Sequence, residues 1–140
     1  MSKNMPHILV VDDELSMREL LEVLLSKEGY KVSFAENGHN AVSMIKKTYF
    51  DLLLCDIRLG DITGLDVLKA AKAQNPDAVV IMISAYATTE TAVEAMNQGA
   101  YDFVPKPFDN EELKQTIKNA LDLKTIEHEK EILDDELKRT

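Results

Sequence analysis

Cysteine is nearly absent. The 140 residues carry one, Cys55, which excludes an internal disulfide framework and fits a chain kept in a reducing cytoplasm. Positive charge is in deficit as well: 16 Lys and Arg face 25 Asp and Glu, a formal net charge of −9 at pH 7. A surface of that sign does not grip nucleic acid, because phosphate contacts need a basic face. No apolar run approaches the roughly 18 residues that a membrane-spanning helix needs. The opening string "MSKNMPHILVVDDE" meets two aspartates after four apolar residues, too early for a signal peptide. Neither GxGxxG nor GxxxxGKS/T occurs, so no glycine-rich loop cradles phosphate. His7, His39 and His128 are scattered and Cys55 stands alone, which leaves no Cys/His cluster for zinc. Cys55 reads as a small buried hydrophobe.

What is present is an ordinary globular balance, 45% apolar and 29% charged, at a length that suits one domain. Short apolar runs recur at Ile8–Val11, Val32–Ala35, Leu52–Cys55, Val79–Ile83 and Tyr101–Val104. Most lack period-two alternation, as expected of strands buried on both faces of a parallel sheet. The second and fifth are less apolar and suit the sheet edges. Amphipathic stretches lie between them. Ser16 and Glu19 have capping-box spacing ahead of Leu20, Leu21, Leu24 and Leu25, with Gly29 as a stop. Asn37-Gly38 marks a turn before Ala41, Val42 and Ile45. Gly64 precedes Leu65, Leu68 and Ala71, and Asn75-Pro76 ends that stretch. Thr88 or Thr89 caps a fourth helix that stops at Gly99, and Asp109 starts a last one carrying Leu113, Ile117, Ala120 and Leu121. Alternating strands and helices predict an α/β fold, a doubly wound five-stranded parallel sheet flanked by five helices. Such folds bind ligands beyond the carboxyl ends of the strands.

The residues at those ends carry the chemistry. The first run meets Asp12-Asp13, the third Asp56, the fourth Ser84, and the fifth soon reaches Lys106. Any one of them is unremarkable at a strand end, since Asp and Ser favour caps and turns. Three carboxylates, a hydroxyl and an ammonium on one edge are harder to dismiss. Crowded carboxylates repel unless a cation or proton intervenes. An all-oxygen donor set with few protein ligands fits Mg²⁺. A carboxylate beside a metal and a lysine can attack phosphorus and form an aspartyl phosphate.

At these residues the chain resembles a response regulator receiver domain of a two-component system, over about Ile8 to about Leu121. The implied fold is flavodoxin-like, with strand order 2-1-3-4-5. "VVDDE" resembles the family's acidic pair and implies Asp13 as a direct metal ligand and Asp12 as an indirect one. "DIR" implies Asp56 as phosphoacceptor and a metal ligand, with the backbone carbonyl of Arg58 as a further ligand. "ISA" places Ser84 at the family's Ser/Thr position. "FVPKPF" places Lys106 at the phosphate-contacting lysine and implies a cis Lys106–Pro107 bond. Phe103 falls at the aromatic switch position, paired in role with Ser84. The stretch "AYATTETAVEAMNQGAYDFVPKPF" looks most like receivers of sigma-54-dependent, nitrogen-regulatory activators. The resemblance implies Mg²⁺ as cofactor, a sensor histidine kinase as donor, and no turnover of an external substrate beyond the domain's own phosphotransfer and dephosphorylation.

Two departures stand out. "DIRLGDITG" has Leu59-Gly60 where receivers commonly show Met-Pro, and adds Asp61; glycine there is expected to loosen the loop. Phe103 lacks the hydroxyl of the tyrosine many receivers carry, so a switch there is steric. Residues 1–121 read as the receiver and 122–140 as a helical linker toward a downstream domain. In that tail Leu123, Ile126, Lys130, Leu133 and Leu137 alternate at spacings of three and four, a short coiled-coil seam with one polar interruption. Asp134–Lys138 and Asp135–Arg139 are favourable helical pairs. The expectation is a homodimer through this helix.

Two rival readings differ in class. A haloacid-dehalogenase type phosphatase also uses an Asp nucleophile and Mg²⁺, but its nucleophile follows the first strand with a second Asp two residues on. "VVDDEL" lacks that spacing. A degenerate receiver serving only as a dimerisation module is opposed by the full set of acidic pair, Asp56, Ser84 and Lys106.

Overall fold

The computed structural model describes residues 5–86 and 88–123. Five strands, β1 (His7–Val11), β2 (Lys31–Ala35), β3 (Leu52–Asp56), β4 (Val80–Ser84) and β5 (Asp102–Pro105), form one parallel sheet in the order β2-β1-β3-β4-β5. The two less apolar runs are its edges, as the sequence predicts. Helices α1 (Leu15–Lys27), α2 (Gly38–Lys47), α3 (Gly64–Gln74) and α4 (Thr89–Asn97) alternate with the strands. A fifth, α5, covers residues 110–123 of the described chain. The proposed seam beyond Leu123 lies outside the described residues.

The lack of alternation in the strands now has its reason. Leu9, Val11, Leu53, Cys55, Val80 and Met82 point to one face, where Ala41 and Ile45 of α2 and Val67, Leu68 and Ala71 of α3 meet them. Ile8, Val10, Leu52, Leu54, Ile81 and Ile83 point to the other, against Leu21 and Leu25 of α1 and Leu113 and Ile117 of α5. Both faces are dry, so the central strands are apolar throughout Ile8–Val11, 52–55 and 80–83. Asp56 and Ser84, the last residues of β3 and β4, are where that rule stops.

One local expectation is corrected. Ser16 does not cap α1: the helix begins at Leu15, with Glu14 at the N-cap and no side-chain cap bond. The backbone amide of Glu14 is instead satisfied by Asp12 Oδ1 at 2.9 Å, and Arg18 reaches back to the Asp12 carbonyl at 2.6 Å. The strand-end aspartate thus serves the amide of the N-cap residue, and α1 starts without a side-chain cap of its own. The other starts follow the local chemistry. Asn37 caps α2, and Thr63 with Asp66 and Thr88 with Thr91 form reciprocal capping pairs at α3 and α4. Asp109 accepts from the Glu112 amide at the start of α5. The Lys106–Pro107 bond is cis. Among the described residues, no helix is long and apolar enough to cross a membrane.

Candidate functional site

The site forms where β1, β3 and β4 end side by side and β5 runs out beside β4. Asp56 is the last residue of β3, Ser84 the last of β4, Asp12 follows β1, and Lys106 follows β5. Asp12, Asp56 and Ser84 are 3%, 7% and 1% exposed, the three buried polar residues among those described. Helix α3 starts very close behind β3. A Cβ on Gly64 would meet the Asp56 carbonyl, so only glycine lets the chain return there.

Lys106 joins the carboxylates. Its Nζ donates to Asp56 Oδ2 at 2.8 Å and to Asp12 Oδ2 at 2.9 Å, with Glu14 Oε1 at 3.8 Å. Burial works to lower the pKa of this ammonium, and the hydrogen bonds it donates to Asp56 and Asp12, together with the charges of those carboxylates, outweigh it and raise the value. The lysine is therefore a fixed positive charge at the floor of the site. Its backbone amide donates to the Ser84 carbonyl at 2.9 Å, which ties β5's exit to β4's end.

The donor set fits a hard cation. Asp12, Asp13, Glu14 and Asp56 each bring one carboxylate oxygen within 4.8 Å of the others, with no nitrogen or sulfur ligand in the group. Asp12 and Asp56 are buried while Asp13 and Glu14 are exposed, which leaves one side open to solvent for retained water. Glu14 was not anticipated as part of this group. The string "VVDDEL" carries it openly, but only once α1 is seen to start at Leu15 does Glu14 fold back beside Lys106. The Arg58 amide donates to Asp56 Oδ1 at 3.2 Å, so the chain turns over the carboxylate it has just delivered. The Arg58 guanidinium stacks on the Tyr86 ring at 3.7 Å from its centroid. That contact links the loops after β3 and β4, and sequence reasoning that weighed only the Arg58 carbonyl missed it.

Ser84 Oγ accepts from the Tyr86 amide at 3.0 Å. Phe103 pairs in register with Met82 on β4 and is half-buried against the core shared by α2 and α3. Cys55 is fully buried, and burial together with Asp56 and Asp12 pushes its thiol pKa far up, so it has no thiolate chemistry.

Comparison with known proteins agrees with this geometry. The "Response regulator receiver domain" family matches residues 8–118. The chain is 43% identical over 114 residues to the transcriptional regulatory protein ZraR of Escherichia coli K12, covering 81% of this chain and 26% of ZraR. It thus spans about a quarter of the length of that curated relative. The solution structure of the beryllofluoride-activated NtrC4 receiver domain dimer superposes with a TM-score of 0.81 at 37% identity, covering 86% of this chain and 99% of that one. The response regulator protein TrrA of Thermotoga maritima, in complex with Mg²⁺ and beryllofluoride, gives 0.76 at 36% identity, covering 83% and 99%. Motifs, strand order, site geometry and family match converge, and the chain belongs to the response regulator receiver domain family.

Proposed function

We propose that this chain is a phosphorylation-driven switch that takes a phosphoryl group on Asp56 from a sensor histidine kinase. The supporting observation is the position of Lys106, held by Asp56 and Asp12 at once in a buried pocket at the sheet edge. Asp56 is the nucleophile. Its oxygen forms the new bond to phosphorus as the donor's P–N bond breaks, and the bonding pair leaves on the imidazole nitrogen, which takes a proton from water. Mg²⁺, when held by Asp13, Asp56 and the Arg58 carbonyl with Asp12 acting indirectly, supplies positive charge to the transferring phosphoryl oxygens. Lys106 adds its own positive charge to the same oxygens. Ser84 turns so that its hydroxyl donates a hydrogen bond to a phosphoryl oxygen, and in turning it releases the Tyr86 amide. The space vacated near Ser84 admits Phe103, and the altered β4–β5 region is the output.

Similarity to a transcriptional regulator supports a receiver for a sigma-54-dependent activator, with 1–121 as receiver and 122–140 as linker. The named dimer of the NtrC4 receiver supports self-association here, assigned to the C-terminal helix. The place of work is the cytoplasm.

Incubation with a small acyl phosphate and Mg²⁺ tests the core claim. Intact mass should rise by one phosphoryl group, and chelation of the metal should abolish the gain. An unchanged mass with both the small donor and an active histidine kinase would overturn it.

A further inference from the structure

The loop between β3 and α3 carries an aspartate that the phosphotransfer chemistry does not use. Residues 57–63 run from the phosphoacceptor strand to the Thr63 cap, and Gly60 sits in the middle at φ +85°. The sequence alone predicts a loose loop. The structure finds it fastened. Leu59 is buried in the core at 3% exposure, and Ile62 lies over Gly38, where a Cβ would collide with it. Arg58 pairs with Thr63, and the Gly64 amide donates to the Ile57 carbonyl at 2.7 Å.

Asp61 makes the polar attachment to a distant part of the chain. Oδ1 accepts from the Gly38 amide at 2.9 Å, and Oδ2 accepts from the His39 amide at 2.9 Å, with His39 Nδ1 at 2.8 Å. These amides open α2 and have no carbonyl partner within the helix. The next amide, Asn40, is served by Asn37 at 2.8 Å, and Ala41 returns to the Asn37 carbonyl. Asn37 and Asp61 together therefore satisfy the whole first turn of α2, one from its own N-cap and one from 22 residues away. The negative charge also suits the positive end of the helix dipole. The donors hold the Asp61 carboxyl well below the usual carboxylate range.

We propose that Asp61 is a positioning residue for the phosphorylation site, holding the Arg58 carbonyl in place for Mg²⁺ by docking its loop on the N-terminus of α2. This rests on the receiver reading above. Arg58 lies three positions before Asp61, and Gly60 between them would otherwise give that segment extra conformers. Docking on a helix already packed on the core removes those conformers before the metal arrives, so that less ordering is charged against binding.

Titration calorimetry with Mg²⁺ alone on the full chain separates this role from a generic contribution to α2. Asp61→Ala should weaken Mg²⁺ binding about tenfold, the low end for groups that orient a metal ligand. Asp61→Asn keeps one acceptor oxygen and should fall between. Asn37→Ala removes the other cap of the same helix turn, and should lower stability while leaving Mg²⁺ affinity at the wild-type value. Unchanged affinity in Asp61→Ala, or an equal loss in Asn37→Ala, overturns the proposal while wild-type binding keeps the receiver reading intact. A wild-type chain that takes up no Mg²⁺ removes both.

Discussion

Lys106 and Asp56 are 50 residues apart in the chain and 2.8 Å apart in the fold. Their pairing also engages Asp12, so one ammonium holds two buried carboxylates together. Removing one partner of a buried ion pair leaves charge uncompensated, which commonly costs about 3 kcal/mol or more. Lys106→Ala should therefore lower stability by about that amount in metal-free buffer. Phosphorylation of Asp56 should persist at reduced level with weaker coupling to the output face. Chemical denaturation with and without Mg²⁺ reads the first effect. No loss in metal-free buffer would mean the pair contributes nothing to the fold.

Metal should stabilise the wild-type protein through the same carboxylates. A folded-state ligand at ten times its dissociation constant adds about 1.4 kcal/mol. The melting midpoint should rise with Mg²⁺ and should rise far less in Asp13→Ala, whose missing oxygen belongs to the acidic group. Equal shifts in both proteins would place the metal elsewhere.

The architecture and the acidic edge were readable because their signals are local or periodic. Apolar runs buried on both sides, Asn37, Thr88 and Asp109 at helix starts, and Asp12, Asp56, Ser84 and Lys106 at strand ends each announce themselves in a few residues. What stayed hidden depends on partners far away in sequence. Ser16 has the spacing of a cap, yet α1 already begins at Leu15, which places Ser16 inside the first turn. Gly60 reads as slack until Asp61 is seen on α2. Arg58 and Tyr86 are both exposed, and nothing links them in sequence until β3 and β4 bring their loops together.

His7 provides a pH-dependent element at the opposite edge of the sheet. Its Nε2 lies 2.6 Å from Ser33 Oγ and its ring packs edge-on to Phe50. Burial and then the charge of Lys31 lower its pKa below 6.5, against the opposing pull of Asp51. The unfolded chain therefore binds the proton more readily. Its contribution is present above pH 6.5 and is lost as pH falls from there toward the folded-state value. Between about pH 8 and about pH 5.5 the wild type should lose more stability than His7→Gln. Parallel pH profiles would show that this ring is not selectively kept neutral.

The proposed homodimer through residues 122–140 is tested by truncation. Sedimentation of the full chain should show a dimer, and a version ending at Leu121 should be monomeric or much weaker in association. Monomers in both cases would reduce residues 122–140 to a linker.

The central claim is that Asp56 alone receives the phosphoryl group. After treatment with an acyl phosphate and Mg²⁺, borohydride reduction converts the phosphorylated carboxylate to an alcohol that peptide mapping can locate. The mark should fall on Asp56 and vanish in Asp56→Asn while that variant keeps its fold. A mark on Asp12, Asp13 or Glu14, or undiminished labelling of Asp56→Asn, would contradict the account.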